Sequence, residues 1–248
     1  MRLSILSCEV LARELYYCAA TSPHTIDIHM LKRGLHNTPD VLRNEIQQQI
    51  DEASSRSYDA ICLGYGLCGN SLAGVVARKL PLVLPRAHDC ITIYLGSRAR
   101  YQQEFSTHPG TIYYAPDYME RRDNTDSSIS LGTASDERRK EVYDEYVAKY
   151  GQDNADYLLE VMGGWASHYD RAAYIDMGIG DSSAIEALAR SEAATKGWAF
   201  ERLVGSLAII RKLTQGEWDD DFLTIQPGQR VTVSYDHNVV GCAPTAAT

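Results

Sequence analysis

The sequence predicts an open α/β fold in which a mainly parallel sheet is flanked by helices. Three observations carry that expectation. Short apolar runs recur along the first half, stretches with three- and four-residue apolar spacing separate them, and turn-forming residues close each run. Strands that alternate with helices must pair in parallel, because each connection has to return over the sheet by a right-handed crossover.

The elements follow in order. Leu3–Ser7 reads as a strand, and Leu11, Leu15 and Cys18 then fall on one helix face. Thr25–Leu31 is a second strand, ending in Lys32-Arg33-Gly34-Leu35-His36. Thr38 and Pro39 suit the N-cap and first turn of a helix whose Val41, Leu42, Ile46 and Ile50 share a side, ending near Ala53. Tyr58–Leu63 is a third strand, followed by the turn Gly64–Asn70 and a helix from about Leu72. Leu80–Leu84 is a fourth, leading through Pro85–Cys90 into a helix past Tyr101 and Phe105, and Thr111–Tyr114 closes the first set.

This N-terminal α/β unit, residues 1–117, is Rossmann-like in its alternation. Residues 118–135 are polar and read as a linker or loop, and residues 136–248 carry a helical segment and a second α/β unit. In that unit Ala172–Met177, Trp198–Leu203 and Phe222–Ile225 read as strands. Ala184–Lys196, stopped by Gly197, and Leu207–Leu213 read as helices. The second unit either forms its own sheet or extends the first.

A net charge of −9 without a Lys/Arg cluster argues against nucleic-acid binding, which needs a basic surface to displace counterions. There is no apolar stretch of about 18 residues and no leader pattern, so the expectation is a cytoplasmic protein with no membrane partner. In that setting six cysteines point to free, reactive or metal-binding thiols ahead of disulfides.

Three of them stand out. Cys8, Cys68 and Cys90 each follow a predicted strand, and in an open parallel sheet such positions gather at one edge. Taken singly, each is most simply a small buried hydrophobe. Taken together, with His88 close by, they supply three sulfurs and a nitrogen, the donors that zinc prefers, and cysteines also hold iron–sulfur clusters. The ligands are spread along the chain, unlike a zinc finger's two close pairs. Arg86 is suited to clamp a carboxylate or phosphate, His88 to move a proton, and Asp89 to orient either, or simply to cap a helix. Glu9, His36, Tyr65 and Asn70 lie in the same strand-end turns and join Arg86 as candidate substrate-binding residues. Gly64-Tyr65-Gly66-Leu67-Cys68-Gly69 also satisfies G-x-G-x-x-G between a predicted strand and a predicted helix, with bulky Tyr65 and reactive Cys68 in the variable places, which opens a nucleotide-dependent alternative.

The strings YGLCGN, PRAHDC and LGSR, then PGT at Pro109–Thr111, YID at Tyr174–Asp176, GEWD at Gly216–Asp219 and FLTIQPG, resemble the uncharacterised family DUF1638. Ser71 stands where glycine is expected in many relatives. Some members of that family are associated with corrinoid-dependent methyl transfer, so the resemblance implies one-carbon chemistry and a corrinoid or methyltransferase partner. The corrinoid-carrier string D-x-H-x-x-G is absent.

The resulting expectation is a metal- or cluster-binding enzyme that transfers a methyl or other small group to or from a small-molecule substrate. Cys8, Cys68, Cys90 and His88 are its ligands, and His88 and Asp89 its catalytic pair. The alternatives are a non-catalytic accessory protein of a corrinoid methyltransferase system and a nucleotide-dependent enzyme.

Overall fold

In the computed structural model the described residues are 1–121 and 168–245, together with 140, 141, 143, 144, 147, 148, 151–153 and 155. The predicted linker beyond Arg121 and most of the helical segment from Asp136 to His168 lie outside them.

The chain is α/β, with a mainly parallel sheet and a second, parallel one. Strands β1 (Arg2–Cys8), β2 (Thr25–Leu31), β3 (Ala60–Gly64) and β4 (Leu82–Pro85) pair in parallel in the order β2-β1-β3-β4. The Thr111–Tyr114 strand, β5, does not close this sheet. It pairs in parallel with β6 (Arg171–Asp176), which pairs with β7 (Ala199–Val204) to make a second sheet. The fifth place in the first sheet goes to β8 (Phe222–Ile225), antiparallel to β4. The second half thus does both things the sequence allowed. A hairpin of β9 (Gln229–Val233) and β10 (Val240–Pro244) follows.

Helices α1 (Ala12–Ala19), α2 (Pro39–Ala53), α3 (Cys90–Leu95), α4 (Arg98–Thr107), α5 (Pro116–Glu120), α6 (Ser183–Lys196) and α7 (Ala208–Gln215) cover the sheets. Thr38 sits at the N-cap of α2, but its hydroxyl donates to the Leu35 carbonyl and does not cap the helix. Gly96 and Gly197, both left-handed, end α3 and α6.

The helix expected near Leu72 is absent. Cys68, Gly69, Asn70 and Gly74 all have positive φ, and residues 68–74 form turns. The backbone then pairs with β9, Gly74 and Ala77 donating to the Val231 and Gln229 carbonyls.

The central strands β3 and β4 are buried on both faces and apolar throughout, whereas the edge strand β2 alternates and is only partly buried. Leu3, Ile5 and Cys62 point into a cluster that includes α1, α7 and, from the second sheet, Ala173, Ile175 and Leu203. Leu6, Ile61 and Leu63 point the other way, against Leu42, Ile46 and Ile50 of α2 and Val231 and Val240 of the hairpin. One core therefore joins the two sheets. No helix among the described residues is long and apolar enough to cross a membrane.

Candidate functional site: a cavity lined by three thiols

The C-terminal ends of β1, β3 and β4 are bound together by their connecting backbone. Ser7 donates its hydroxyl to the Gly64 carbonyl at 2.9 Å, tying the end of β1 to that of β3. The loop after β3 then zips onto the loop after β4, Leu67 N–H donating to Ala87 at 2.8 Å and Cys68 N–H to His88 at 2.9 Å. At Gly66 the approach is so close that a Cβ would lie 2.6 Å from the Asp89 Cα and N. Glycine at that position serves loop-to-loop packing. The G-x-G-x-x-G string thus has a local structural explanation, and the strand–turn–helix context of a dinucleotide fingerprint is missing.

Here the ends of these strands form one wall of a cavity of about 430 Å³. Cys8, Cys68 and Cys90, drawn from three separate segments, all line it. Cys8 ends β1, Cys68 sits in the turn at φ 44°, and Cys90 opens α3. The opposite wall comes from the second sheet and the segment after it: Ile112, Tyr113 and Tyr114 of β5, and Tyr118 and Met119 of α5. The cavity therefore lies where the two sheets meet.

The thiols are shaped by burial. Desolvation pushes the Cys8 thiol up to about 11 and the Cys68 thiol to about 12, and raises Cys90 well above its usual range. Asp89 and the neighbouring cysteines reinforce the rise at Cys68 and Cys90. Backbone N–H groups oppose it: Val10 donates to the Cys8 sulfur, and Gly66 and Cys90 donate to the Cys68 sulfur. In the absence of a cation all three are neutral thiols at pH 7. Their positions against backbone donors suit thiolates, and a soft metal would drive the ionisation. With the side chains as they stand, no group of three or more His, Cys, Asp or Glu among the described residues is placed to hold a metal ion.

The other predicted residues divide. Tyr65 lines the cavity, is 3% exposed, and its hydroxyl has no hydrogen-bond partner among the described residues. Asp89 also lines it, but its carboxylate is engaged as the N-cap of α3, accepting from the Thr92 N–H at 3.1 Å and the Tyr101 hydroxyl at 3.2 Å. His88 is exposed, does not line the cavity, and its ring stacks on Tyr101. Arg86 turns away from the cavity and donates to the Val240 and Asn238 carbonyls at 2.6 and 3.3 Å, clamping the hairpin. Asn70 is exposed, its carbonyl accepting from Arg43. Glu9 braces the loop after β2, accepting from the Arg33 backbone N–H at 2.9 Å and pairing with Arg121 at 3.5 Å. His36 is described by its backbone alone, within the short 3-10 helix Arg33–Asn37.

Arg86→Ala is accordingly expected to cost about 2 kcal/mol, by loss of charge-assisted bonds to the hairpin, while leaving the reactivity of the cavity thiols unchanged. Urea unfolding and native-state thiol labelling check the two halves of that expectation.

The sequence reading passed over Lys32 and Arg33, which line the cavity, and the tyrosines of its far wall. Arg33 is 2% exposed, with its guanidinium 4.2 Å from the centre of the Tyr118 ring. The signal was present, since Lys32-Arg33 and Tyr113-Tyr114 stand at strand ends just as the cysteines do.

No curated protein and no solved structure matches this chain. A family model does, over residues 30–214, a segment that includes Cys68 and Cys90 and begins after Cys8. That match spans most of the chain, and the protein belongs to DUF1638, a family described as a protein of unknown function.

Proposed function

We propose that this cavity is the active site of a metal-dependent enzyme, with Cys8, Cys68 and Cys90 as the ligands of a zinc ion or an iron–sulfur cluster. The observation that carries the reading is that three cysteines from three segments far apart in sequence line one cavity. Three protein ligands leave one coordination position for substrate, as catalytic sites require. Such a centre supplies Lewis-acid stabilisation of an anionic group, for instance a substrate thiolate at neutral pH.

The chain's own residues supply the rest. Apolar and aromatic walls exclude water, Tyr65 offers a hydroxyl beside Cys8 and Cys68, and Arg33 offers a positive field near Cys8. Transfer of a methyl or other small group onto a small molecule is the reaction this arrangement suits, within one-carbon metabolism and beside a corrinoid or methyltransferase partner. His88 stacks outside the cavity wall, so the fourth position is assigned to substrate. Six free cysteines suit a reducing cytoplasm.

Elemental analysis of anaerobically purified protein tests the reading. Wild type is expected to carry stoichiometric zinc or iron, and Cys8→Ser, Cys68→Ser and Cys90→Ser each to lose most of it. Cys242→Ser, exposed on β10, is expected to retain it. Metal-free wild type, or metal unaffected by all three substitutions, rejects the proposal.

A further inference from the structure

The cavity meets the second sheet edge-on. Five consecutive residues, Thr111 to Ala115, line it, whereas a strand seen from one face presents only alternate residues. β5 is the outer strand of the order β5-β6-β7 and pairs with β6 alone. The Arg171 N–H donates to the Gly110 carbonyl at 3.2 Å, and the parallel register sets Ile112 opposite Ala172. In a parallel ladder the residues that bond one neighbour alternate along the strand, so Gly110, Ile112 and Tyr114 direct their backbone groups to β6. Thr111 and Tyr113 then turn their N–H and C=O groups to the other side, where the cavity lies. None of these groups has a hydrogen-bond partner among the described residues. The edge is largely removed from water, with Thr111 and Ile112 each 8% exposed. Unpaired backbone groups at a buried sheet edge cost stability unless something pairs with them. The rest of the lining is mostly apolar and includes Val10, Leu11, Ile91 and Ile93.

We infer that the cavity binds a small peptide-like diamide with an apolar body, laid along β5 as a short added strand. One amide N–H of the ligand donates to the Thr111 carbonyl, and the carbonyl of its next amide accepts from the Tyr113 N–H. This is the main-chain pairing by which sheet edges take up extended segments. Size limits the occupant to a small molecule. A benzene molecule occupies a cavity of about 150 Å³, so about 430 Å³ admits up to about 17 non-hydrogen atoms, one or two residues in all. The inference rests on this cavity being the functional site but does not depend on a bound metal.

The test uses blocked apolar amino acids, the N-acetyl N-methylamides of alanine, valine, leucine and phenylalanine. Each is paired with the ester analogue in which oxygen replaces the donating N–H, and both are titrated calorimetrically into the protein as purified. At least one diamide is expected to bind, with its ester weaker by about fivefold or more, the effect of one net hydrogen bond. Residue-resolved hydrogen exchange on the wild type reads the pairing itself. Bound diamide should slow exchange at the Tyr113 amide and leave Ile112 and Tyr114, already bonded to β6, level. Tyr113→Pro removes the outward N–H, a change that sheet edges tolerate, and should weaken binding about tenfold relative to Tyr113→Ala, which keeps it. A set in which no diamide outbinds its ester overturns the inference, as does a bound diamide that leaves exchange at Tyr113 unchanged. Diamide binding with that protection, in wild type that carries no metal as purified, rejects the metal centre alone. Metal-loaded wild type that binds none of the set rejects the diamide alone.

Discussion

Gly66→Ala is expected to lower the melting temperature by about 10 °C and to pull Cys68 away from Cys90. The added Cβ would meet the backbone of Asp89, with its N, Cα and carbonyl carbon all within 2.8 Å. No side chain can rotate out of the way, so one loop must move. Overpacking of this kind costs about 3 kcal/mol, which for a chain of this length is a drop of that size in Tm. The movement acts on the site because the same contact carries the Leu67-to-Ala87 and Cys68-to-His88 hydrogen bonds, and Gly66 N–H donates to the Cys68 sulfur. Thermal unfolding measures the first effect. Native-state alkylation read by mass spectrometry measures the second: Cys68 and Cys90 should label faster in the variant, and Cys62, inside β3, should stay protected in both. A variant that melts like wild type with unchanged labelling would mean that the two loops can separate freely.

The same residues explain why the candidate site was partly readable beforehand. A parallel strand must deliver its C-terminal end to one edge of the sheet, so Cys8, Cys68 and Cys90 could be assigned to one region from their order alone. Which neighbours face inward is decided by partners much further along the chain. Arg86 follows β4 more closely than Asp89 does, yet it is drawn to β10, more than 150 residues on. Arg33 and Tyr113 reach the cavity because β2 and β5 end beside it, and β5 does so only by leaving the first sheet for β6. Alternation between strand and helix gives no indication of that exchange, since β5 and β8 are equally short apolar runs. Register with β6 and β4 settles their places. The missing helix near Leu72 has a local cause that could be read, Gly69-Asn70 and Gly74 favouring left-handed turns, and a remote one that could not, the pairing with β9.

Behind the cavity, α1 carries a carboxyl whose proton should govern the stability of the whole chain. Glu14 is 1% exposed and its Oε2 has no hydrogen-bond partner among the described residues. Burial, with the nearby Asp117 charge added, pushes it up to about 7 against the partial relief given by its own N–H, Arg13 and Arg121. The sign follows from which state holds the proton. Unfolded, Glu14 releases it near pH 4.5; folded, it keeps it to about pH 7. Between those values the folded state binds more protons, so stability falls as pH rises through the window. The loss amounts to about 3 kcal/mol by pH 8. Glu14→Gln keeps the shape and polarity of the side chain and removes the titration. It should therefore gain on wild type steadily from pH 4.5 to about 7, with a difference that is flat above that range. Urea unfolding of both proteins across this range tests it, and parallel stability curves would show that Glu14 ionises in the fold as readily as in the unfolded chain.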